Sequence, residues 1–553
     1  MNGPVLADAT TGESSLEKRW SFLRRWPQLR HWALACLLII IAGLLDLRVI
    51  RSQTLWVDEL FSLAIATGHS VEHPARDADR TRGDFFEAEQ PIPLGELRRY
   101  IAKENPPATA TRAIRATYLS DTNPPLYYLL LSVWLRIVGT TDSDLRAFSV
   151  AWFLACIPLV LALARRVEGS GAQISAGLLF IFSPIAVYYS TEGRMYSMLW
   201  FWLVSTAWFT LGPPGRPRNW LSNLGWILTS AAGFLTHYFF LFPWCAMFAF
   251  LLWRSDWRDR LRVGLSTAVV GMAIFPWYRL VPSSLSRWRI TQDWLSFPPS
   301  DFSRLGSARD LALQFFSNDG HYLWWDHPVA RAVLLWTLGL LAVVVLFRIR
   351  TALWRENRLL LWLWFAASWA GPLVFDLARH TYTAAVPRYA ISALPAAVLL
   401  IAVGLRQVNR LTRYALLGVL LAAWSFSITS ILENPARDDQ PFWKLGQVLD
   451  AQATEHDLIL VHSIPTGAIG VARYTQSHAR IATWVEQLGN RKLESLPALT
   501  TGFRRIFLVR LHEVGAPAPV EDWLRRHATV REEAKFGLIR LIEFQPNQGA
   551  TFP

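Results

Sequence analysis

The sequence predicts a polytopic α-helical membrane protein with a C-terminal soluble α/β domain, and three observations predict it. Of 553 residues, 52% are apolar and only 18% are Asp, Glu, Lys or Arg, against about 25% charged in an ordinary soluble domain. Mean hydropathy is +0.23. Apolar runs of roughly 15–20 residues, near the length that crosses ~30 Å of hydrocarbon, recur as far as residue 432, after which short strand-like runs take over. The 28 Trp and 31 Phe suit lipid-facing surfaces and interfacial belts.

The runs begin near Trp32, Ala147, Ala172, Met195, Leu221, Phe239, Val263, Val329, Leu359, Tyr389 and Tyr414, which makes eleven candidate spans. A twelfth, Leu126 to Val138, is shorter, contains Arg136 and follows Pro124 and Pro125; runs of 10–14 residues are more often interfacial or re-entrant. Five connections are basic: Arg165 and Arg166; Arg216 and Arg218; Arg254, Arg258, Arg260 and Arg262; Arg348, Arg350, Arg355 and Arg358; Arg406, Arg410 and Arg413. Positive loops stay cytoplasmic, and every second connection is basic. If all five share a side with the N-terminus, which carries Lys18, Arg19, Arg24, Arg25 and Arg30, parity allows one crossing between Trp32 and Ala147. The Leu126 to Val138 run is then a juxtamembrane helix on the outer face.

This organisation reads as a cytoplasmic segment 1–31, a membrane domain 32–432 with an outer loop 51–146, and an extracytoplasmic α/β domain 433–553. The first apolar run is too long for a signal h-region and no small-residue cleavage site follows it, so it is read as a retained span. In the tail, Phe442 to Thr454 and Val520 to His527 have helical spacing, while Asp457 to His462, Arg505 to Leu511 and Leu538 to Phe544 read as strands. Arg76 to Glu89 is polar enough to be mobile. The net charge of +13 comes from dispersed Arg residues without a basic stripe, so no nucleic-acid partner is expected. Cys36, Cys156 and Cys245 lie inside apolar runs and form no disulfide framework.

Several short motifs fall at the outer ends of these runs. Asp58 and Glu59 follow the first span among Trp56 and Phe61; carboxylates held against aromatics at a membrane surface are costly unless they act as a base or ligand, although acids also suit a helix N-terminus. Asn123-Pro124-Pro125 introduces a helix through a double proline, by default structural punctuation. Glu192 and Arg194 share a turn and could simply pair with one another. His237 with Tyr238 occupies a second turn, where a lone His is more often a satisfied core residue. Arg388, with Tyr389, precedes the tenth run, where an Arg can snorkel. Parity, which used none of these residues, delivers all of them to one face.

In their order and spacing, Asp58-Glu59, Asn123-Pro124-Pro125-Leu126-Tyr127-Tyr128, Glu192-Gly193-Arg194-Met195-Tyr196, Thr236-His237-Tyr238 and Arg388-Tyr389 with Pro395 resemble the bacterial membrane glycosyltransferases of the GT-C fold. The branch is the one related to protein mannosyltransferases and lipid A aminoarabinose transferases (glycosyltransferase family 39-like). The resemblance covers about residues 30–430. It departs at Asn123, where the family often has His, and in the long stretch Gly68 to Ser120.

The resemblance implies an inverting transferase of the bacterial inner membrane, moving a sugar from a polyprenyl-phosphate donor to a hydroxyl of a lipid, glycan or protein. Asp58 is expected as base, with Glu59 beside it, and Arg388, Tyr389 and Arg194 on the donor phosphate. Glu192, His237, Tyr238 and Asn123 are expected around the acceptor or behind these groups. If a divalent metal ion is held, Asp58, Glu59 and Glu192 are its expected ligands. The alternatives are a transporter of a lipid-linked or anionic substrate, which calls for ionisable groups deep in the bundle and usually a repeat, and a membrane-anchored receptor, for which eleven spans are excessive.

Overall fold

A computed structural model describes residues 27–73, 78–120, 123–212, 218–283, 356–434, 437, 440–488, 491–511, 519–547 and 551–552. The apolar runs form helices: α1 (Pro27–Ser52), α5 (Asp142–Glu168), α6 (Gln173–Ile181), α7 (Pro184–Ser190), α8 (Tyr196–Leu211), α9 (Trp220–Phe234), α10 (Leu241–Arg254), α11 (Trp257–Tyr278), α12 (Glu356–Arg379), the short α13 (Pro387–Ala390), α14 (Leu394–Arg406) and α15 (Arg410–Glu433). Between α1 and α5 come α2 (Val57–Ala66), α3 (Ala110–Ser120) and α4 (Leu126–Val138). Leu37, Ile40 and Leu44 on α1, Leu265, Met272 and Phe275 on α11, and Leu411 and Phe426 on α15 are exposed. Apolar faces of that extent belong against lipid, and the protein is a multi-pass membrane protein.

Six helices among the described residues are long and apolar enough to cross a membrane, seven if the pair Ser170–Ile181 and Pro184–Ser190, bent by 60°, counts as one span. The expected eleven are therefore not all carried by full-length helices. The runs near Met195, Leu221 and Phe239 form helices of 16, 15 and 14 residues, about 21–24 Å at 1.5 Å per residue. The run near Val329 and the basic residues from Lys18 to Arg25, at Arg216 and from Arg348 to Arg355 lie outside the described residues. Helix α4, with 13 residues, reaches only about 20 Å. It buries Tyr127, Tyr128, Leu131 and Leu135 and exposes Val133 and Ile137.

Helix α5 sets the depth of the bundle. Thr141 and Asp144 cap its start by exchanging hydrogen bonds, Asp144 N–H to Thr141 Oγ1 at 3.2 Å and Thr141 N–H to Asp144 Oδ2 at 3.0 Å, and Gly169 at φ +87° ends it. Its 27 residues cover about 40 Å. At its C-terminal end Glu168 accepts from Arg358 Nε at 2.9 Å and Gln407 Nε2 at 3.0 Å, so three connections read as basic meet there. The motifs gather at its other end.

The tail adds α16 (Phe442–Gln452), β2 (Asp457–His462), α17 (Pro465–Tyr474), β3 (Arg480–Trp484), β4 (Arg505–Arg510), α18 (Pro519–His527), β5 (Ala528–Phe536) and β6 (Ile539–Pro546). The expected strands and helices are present, together with α17, β3 and β5, which the sequence reading left out. With a two-residue strand β1 (Ile92–Pro93) from the outer loop, the sheet order is β1-β3-β2-β4-β6-β5, with β3, β2 and β4 parallel and β4, β6 and β5 antiparallel. Alternate strand residues serve two cores, as a doubly covered sheet requires. Ile459, Val461, Phe507 and Val509 join the core that includes Phe442, Ala468 and the helical bundle. Leu458, Leu460, Ile506 and Leu508 face Val520 and Leu524 of α18.

The edge strand β1 (Ile92–Pro93) comes from the outer loop and pairs antiparallel with β3, so the boundary at 433 is crossed by the sheet. The expectation that Arg76 to Glu89 is mobile is overturned for its described part. Asp84 is buried and takes both guanidinium nitrogens of Arg115 at 2.6 Å, Phe85 is buried, and Glu87 accepts the Val485 N–H at 2.8 Å. Charge made this segment look mobile, but Asp79 pairs with Arg82, and Asp84 and Glu87 pair with Arg115 and Arg491 outside it.

Candidate active site

Helix α2 begins the site. Adjacent helical residues point about 100° apart, and Asp58 and Glu59 accordingly face different surroundings. The Glu59 carboxylate is fully buried against the equally buried Arg146 of α5. Arg146 Nε donates to Oε1 and Nη2 to Oε2, both at 2.6 Å. Gly193 N–H at 2.9 Å and Trp56 N–H at 3.3 Å satisfy the remaining acceptor positions. The other Arg146 donors reach the Gln53 and Thr54 carbonyls at 2.6 and 2.8 Å. Burial works to raise the Glu59 carboxyl, but the Arg146 charge outweighs it and holds the group below its ordinary value.

The Asp58 side chain is 25% exposed and faces Arg388, 20% exposed, with Nη1 to Oδ2 at 3.2 Å across 330 residues of sequence. Arg388 sits on α13, whose approach is shaped by Asp376 at the end of α12. That carboxylate accepts from Thr381 Oγ1, Thr383 N–H and Oγ1, and Ala384 N–H, all within 2.8 Å. The guanidinium lies 6.0 Å from the Trp56 ring centroid and 5.6 Å from that of Tyr389, a partly aromatic seat for a cation. Tyr389 packs its ring 5.3 Å from Phe239.

Glu192 and Arg194 do not pair with one another. Arg194 Nη1 donates to Tyr128 Oη at 3.1 Å, and to Ser62 Oγ and the Asp58 carbonyl at 3.4 Å. Ser149 Oγ donates to the Arg194 carbonyl and meets Tyr127 Oη, both at 2.9 Å. The tyrosines following the double proline thus brace the Arg194 turn. Asn123 lies just before the double proline, and Leu126 N–H at the start of α4 donates to the Leu235 carbonyl at 2.9 Å, drawing that end of α4 towards His237. Nδ1 of His237 accepts the Phe239 N–H at 3.0 Å, its ring lies 6.2 Å from Tyr196, and Tyr238 Oη accepts Trp277 Nε1 at 3.0 Å.

Glu192 is 1% exposed and faces Arg437 at 3.7 Å, with neither carboxylate oxygen hydrogen-bonded. Burial pushes its carboxyl up to about 8; Arg437 opposes this, and the charges of Glu59 and Asp58 add to it. Arg437 is itself buried. It donates to Gln53 Oε1 at 3.0–3.2 Å, the Tyr188 carbonyl at 2.9 Å and Thr191 Oγ1 at 2.8 Å, and it stacks over Tyr188.

The structure therefore joins Asp58, Arg388, Tyr389, Arg194 and Glu192, with His237 and Tyr238 behind, but it gives Asp58, Glu59 and Glu192 three different arginines. Those acids do not converge as a ligand set, and no group of three or more His, Cys, Asp or Glu suited to a metal ion occurs among the described residues. Sequence reasoning missed Arg146, Arg437 and Gln53. Both arginines stand at the rim of an apolar run, the usual position of a snorkelling Arg.

Residues 122–278 match the model of the dolichyl-phosphate-mannose-protein mannosyltransferase family. ArnT from Cupriavidus metallidurans bound to undecaprenyl phosphate superposes with a TM-score of 0.57 at 12% identity, over 93% of this chain and 97% of that one. Its apo form gives 0.54 at 11%, over 87% and 95%. No curated protein matches the chain in sequence. Fold and matched segment define the class: the chain has the fold of the GT-C membrane glycosyltransferases. Within that class it resembles the protein mannosyltransferase and ArnT branch, as its motifs implied.

Two outcomes follow from the buried acids. Glu59→Gln leaves the Arg146 charge without its partner, and breaking a buried pair costs about 3–5 kcal/mol; thermal unfolding in detergent should reveal the loss, with Glu59→Gln/Arg146→Met recovering much of it. A stable Glu59→Gln protein with no turnover would instead give Glu59 a chemical role. Folded Glu192 retains up to about pH 8 a proton that the unfolded chain releases near 4.5, so its contribution to stability is intact below that window and declines through it as pH rises. Glu192→Gln abolishes this titration, and the wild-type minus variant difference in Tm should become more negative from pH 5 to 8. A pH-independent difference would mean that Glu192 does not titrate there.

Proposed function

We propose that the protein transfers a sugar from a polyprenyl-phosphate donor to a hydroxyl acceptor at the outer face of the membrane, with Asp58 as general base and Arg388 as the principal phosphate contact. The observation that carries this reading is the accessible Asp58–Arg388 pair. Glu59 and Glu192 are closed off from solvent, so Asp58 is the acid of the three that an acceptor can reach. Attack on the anomeric carbon requires a base for the hydroxyl proton and positive charge on the departing phosphate, and the pair supplies both within hydrogen-bonding distance of each other. The ArnT structure bound to undecaprenyl phosphate supports the donor class.

In this reading the resting pair is a lock. A donor phosphate competes for Arg388 with two oxygens suited to its fork, and that exchange frees the Asp58 carboxylate to take the acceptor's hydroxyl proton. Arg194, held through Tyr128 and Ser62, directs further positive charge towards the same place. Glu59 is reassigned from chemistry to anchoring α2. The eleven-span topology, with the site outside and the basic connections inside, is supported by three of the basic connections meeting at the end of α5 opposite the motifs.

Asp58→Asn should insert normally and retain donor binding while turnover falls on the order of 10²- to 10⁴-fold, the usual cost of losing a general base. Release of polyprenyl phosphate from a lipid-linked sugar is the assay, and wild-type turnover by folded Asp58→Asn would sink the assignment. Arg388→Lys should raise the donor KM by roughly 10- to 100-fold, the equivalent of one charge-assisted hydrogen bond, without changing acceptor binding. Reporter fusions after Ser120, Ser143 and Pro435 should be extracytoplasmic and one after Arg358 cytoplasmic; a cytoplasmic signal at Ser143 would make α4 a crossing and invert every later loop.

A further inference from the structure

The helix that carries Asp58 has no N-cap side chain to receive its first-turn amides. Its N-cap position is Trp56, whose side chain has no oxygen to accept from the first-turn amides, where Ser, Thr, Asp or Asn ordinarily serves. Two of the backbone donors here are satisfied from the far end of the chain. Val57 N–H donates to Gln440 Oε1 at 3.2 Å, and Leu55 N–H donates to Tyr474 Oη at 2.7 Å. We propose that Gln440 and Tyr474 are positioning residues for Asp58: Gln440 caps the first helical amide and Tyr474 holds the residue before the N-cap, so that the C-terminal domain, docked on the bundle, fixes the start of the catalytic helix.

The surroundings of Tyr474 are built for this. Its hydroxyl donates to Asp142 Oδ2 while accepting from Leu55, and Arg473 holds the same Asp142 with Nη2 to Oδ1 at 2.6 Å. Asp142 begins α5, the helix that one turn later presents Arg146 to Glu59. Phe442 of α16 stacks on the Tyr474 ring at 6.3 Å. Gly446, one turn further along α16, allows the two segments to touch: a Cβ at this position would lie 2.1 Å from the Tyr474 carbonyl oxygen. Gln440 is buried, and its backbone N–H donates to the Arg437 carbonyl at 3.1 Å. One short linker thus carries both the Glu192 partner and the α2 cap.

The inference rests on Asp58 being the base, and its test separates the two. In the full-length protein in nanodiscs, Tyr474→Phe and Gln440→Leu should each speed amide exchange across residues 55–60 roughly fivefold, as expected for one lost hydrogen bond. Turnover should fall about 10- to 100-fold, in the range a misplaced catalytic group costs, with donor KM within about twofold. Gly446→Ala, which keeps the hydroxyl but displaces it, should do the same, and Gln440→Glu, which keeps an acceptor oxygen, should restore both readouts. In an Asp58→Asn background Tyr474→Phe should cause no further fall, because it acts through Asp58. Unchanged exchange, unchanged turnover despite faster exchange, or an additive loss in Asp58→Asn would each overturn the proposal. If Asp58→Asn alone retains turnover, the base assignment fails independently, and exchange still decides whether the cap exists.

Discussion

The buried pair between Glu59 and Arg146 is the constraint from which the rest of the site hangs. Two charges removed from water lose several kcal/mol of solvation each, which their attraction offsets only if geometry and additional hydrogen bonds are complete. Here they are: both carboxylate oxygens and all three guanidinium nitrogens are engaged. The partners come from α2, α5, the Gln53–Thr54 bend and the Gly193 turn. A single ion pair therefore fixes three segments far apart in sequence, and the neighbouring Asp58 inherits its position from that pair.

Arg437 applies the same logic to the other side of the turn. It reaches from the linker after α15 to Gln53, Tyr188 and Thr191, and Gln53 in turn donates to the Ile431 and Asn434 carbonyls at 2.9 Å. The bend after the first span is thus held between two arginines, one from inside the bundle and one from the junction with the C-terminal α/β domain. A rigid frame of this kind favours a reaction in which little covalent work falls to the protein and positioning dominates.

The architecture was legible wherever it rests on periodicity. Ten of the eleven apolar runs coincide with helices, and the parity argument put Asp58 and Arg388 on one face although 330 residues separate them. Local pattern could not reveal contacts made by single polar residues at distant points. Gln53, Gln440 and Tyr474 carry no signature, and Arg146 and Arg437 look like residues that snorkel. Strand β1 has two residues, too few for alternation, and α17, rich in Gly and bounded by Pro465, reads as a loop. The described part of Arg76 to Glu89 was misread because composition counts charges without showing whether they are paired.

The division of labour between Asp58 and Glu59 follows from the same geometry. Two adjacent carboxylates on a helix cannot share one environment, and burial of one side of α2 against α5 decides which becomes structural. Glu59, at the third helical position, can fold back to the Trp56 N–H while reaching Arg146, whereas Asp58 is turned towards the aromatic rim, where Arg388 and water meet it. An accessible carboxylate whose counter-ion is also the proposed phosphate contact is free to take a proton once a donor has drawn that cation away. In the proposed reaction this ties proton abstraction to donor occupancy, and it requires no conformational change larger than the separation of one 3.2 Å ion pair.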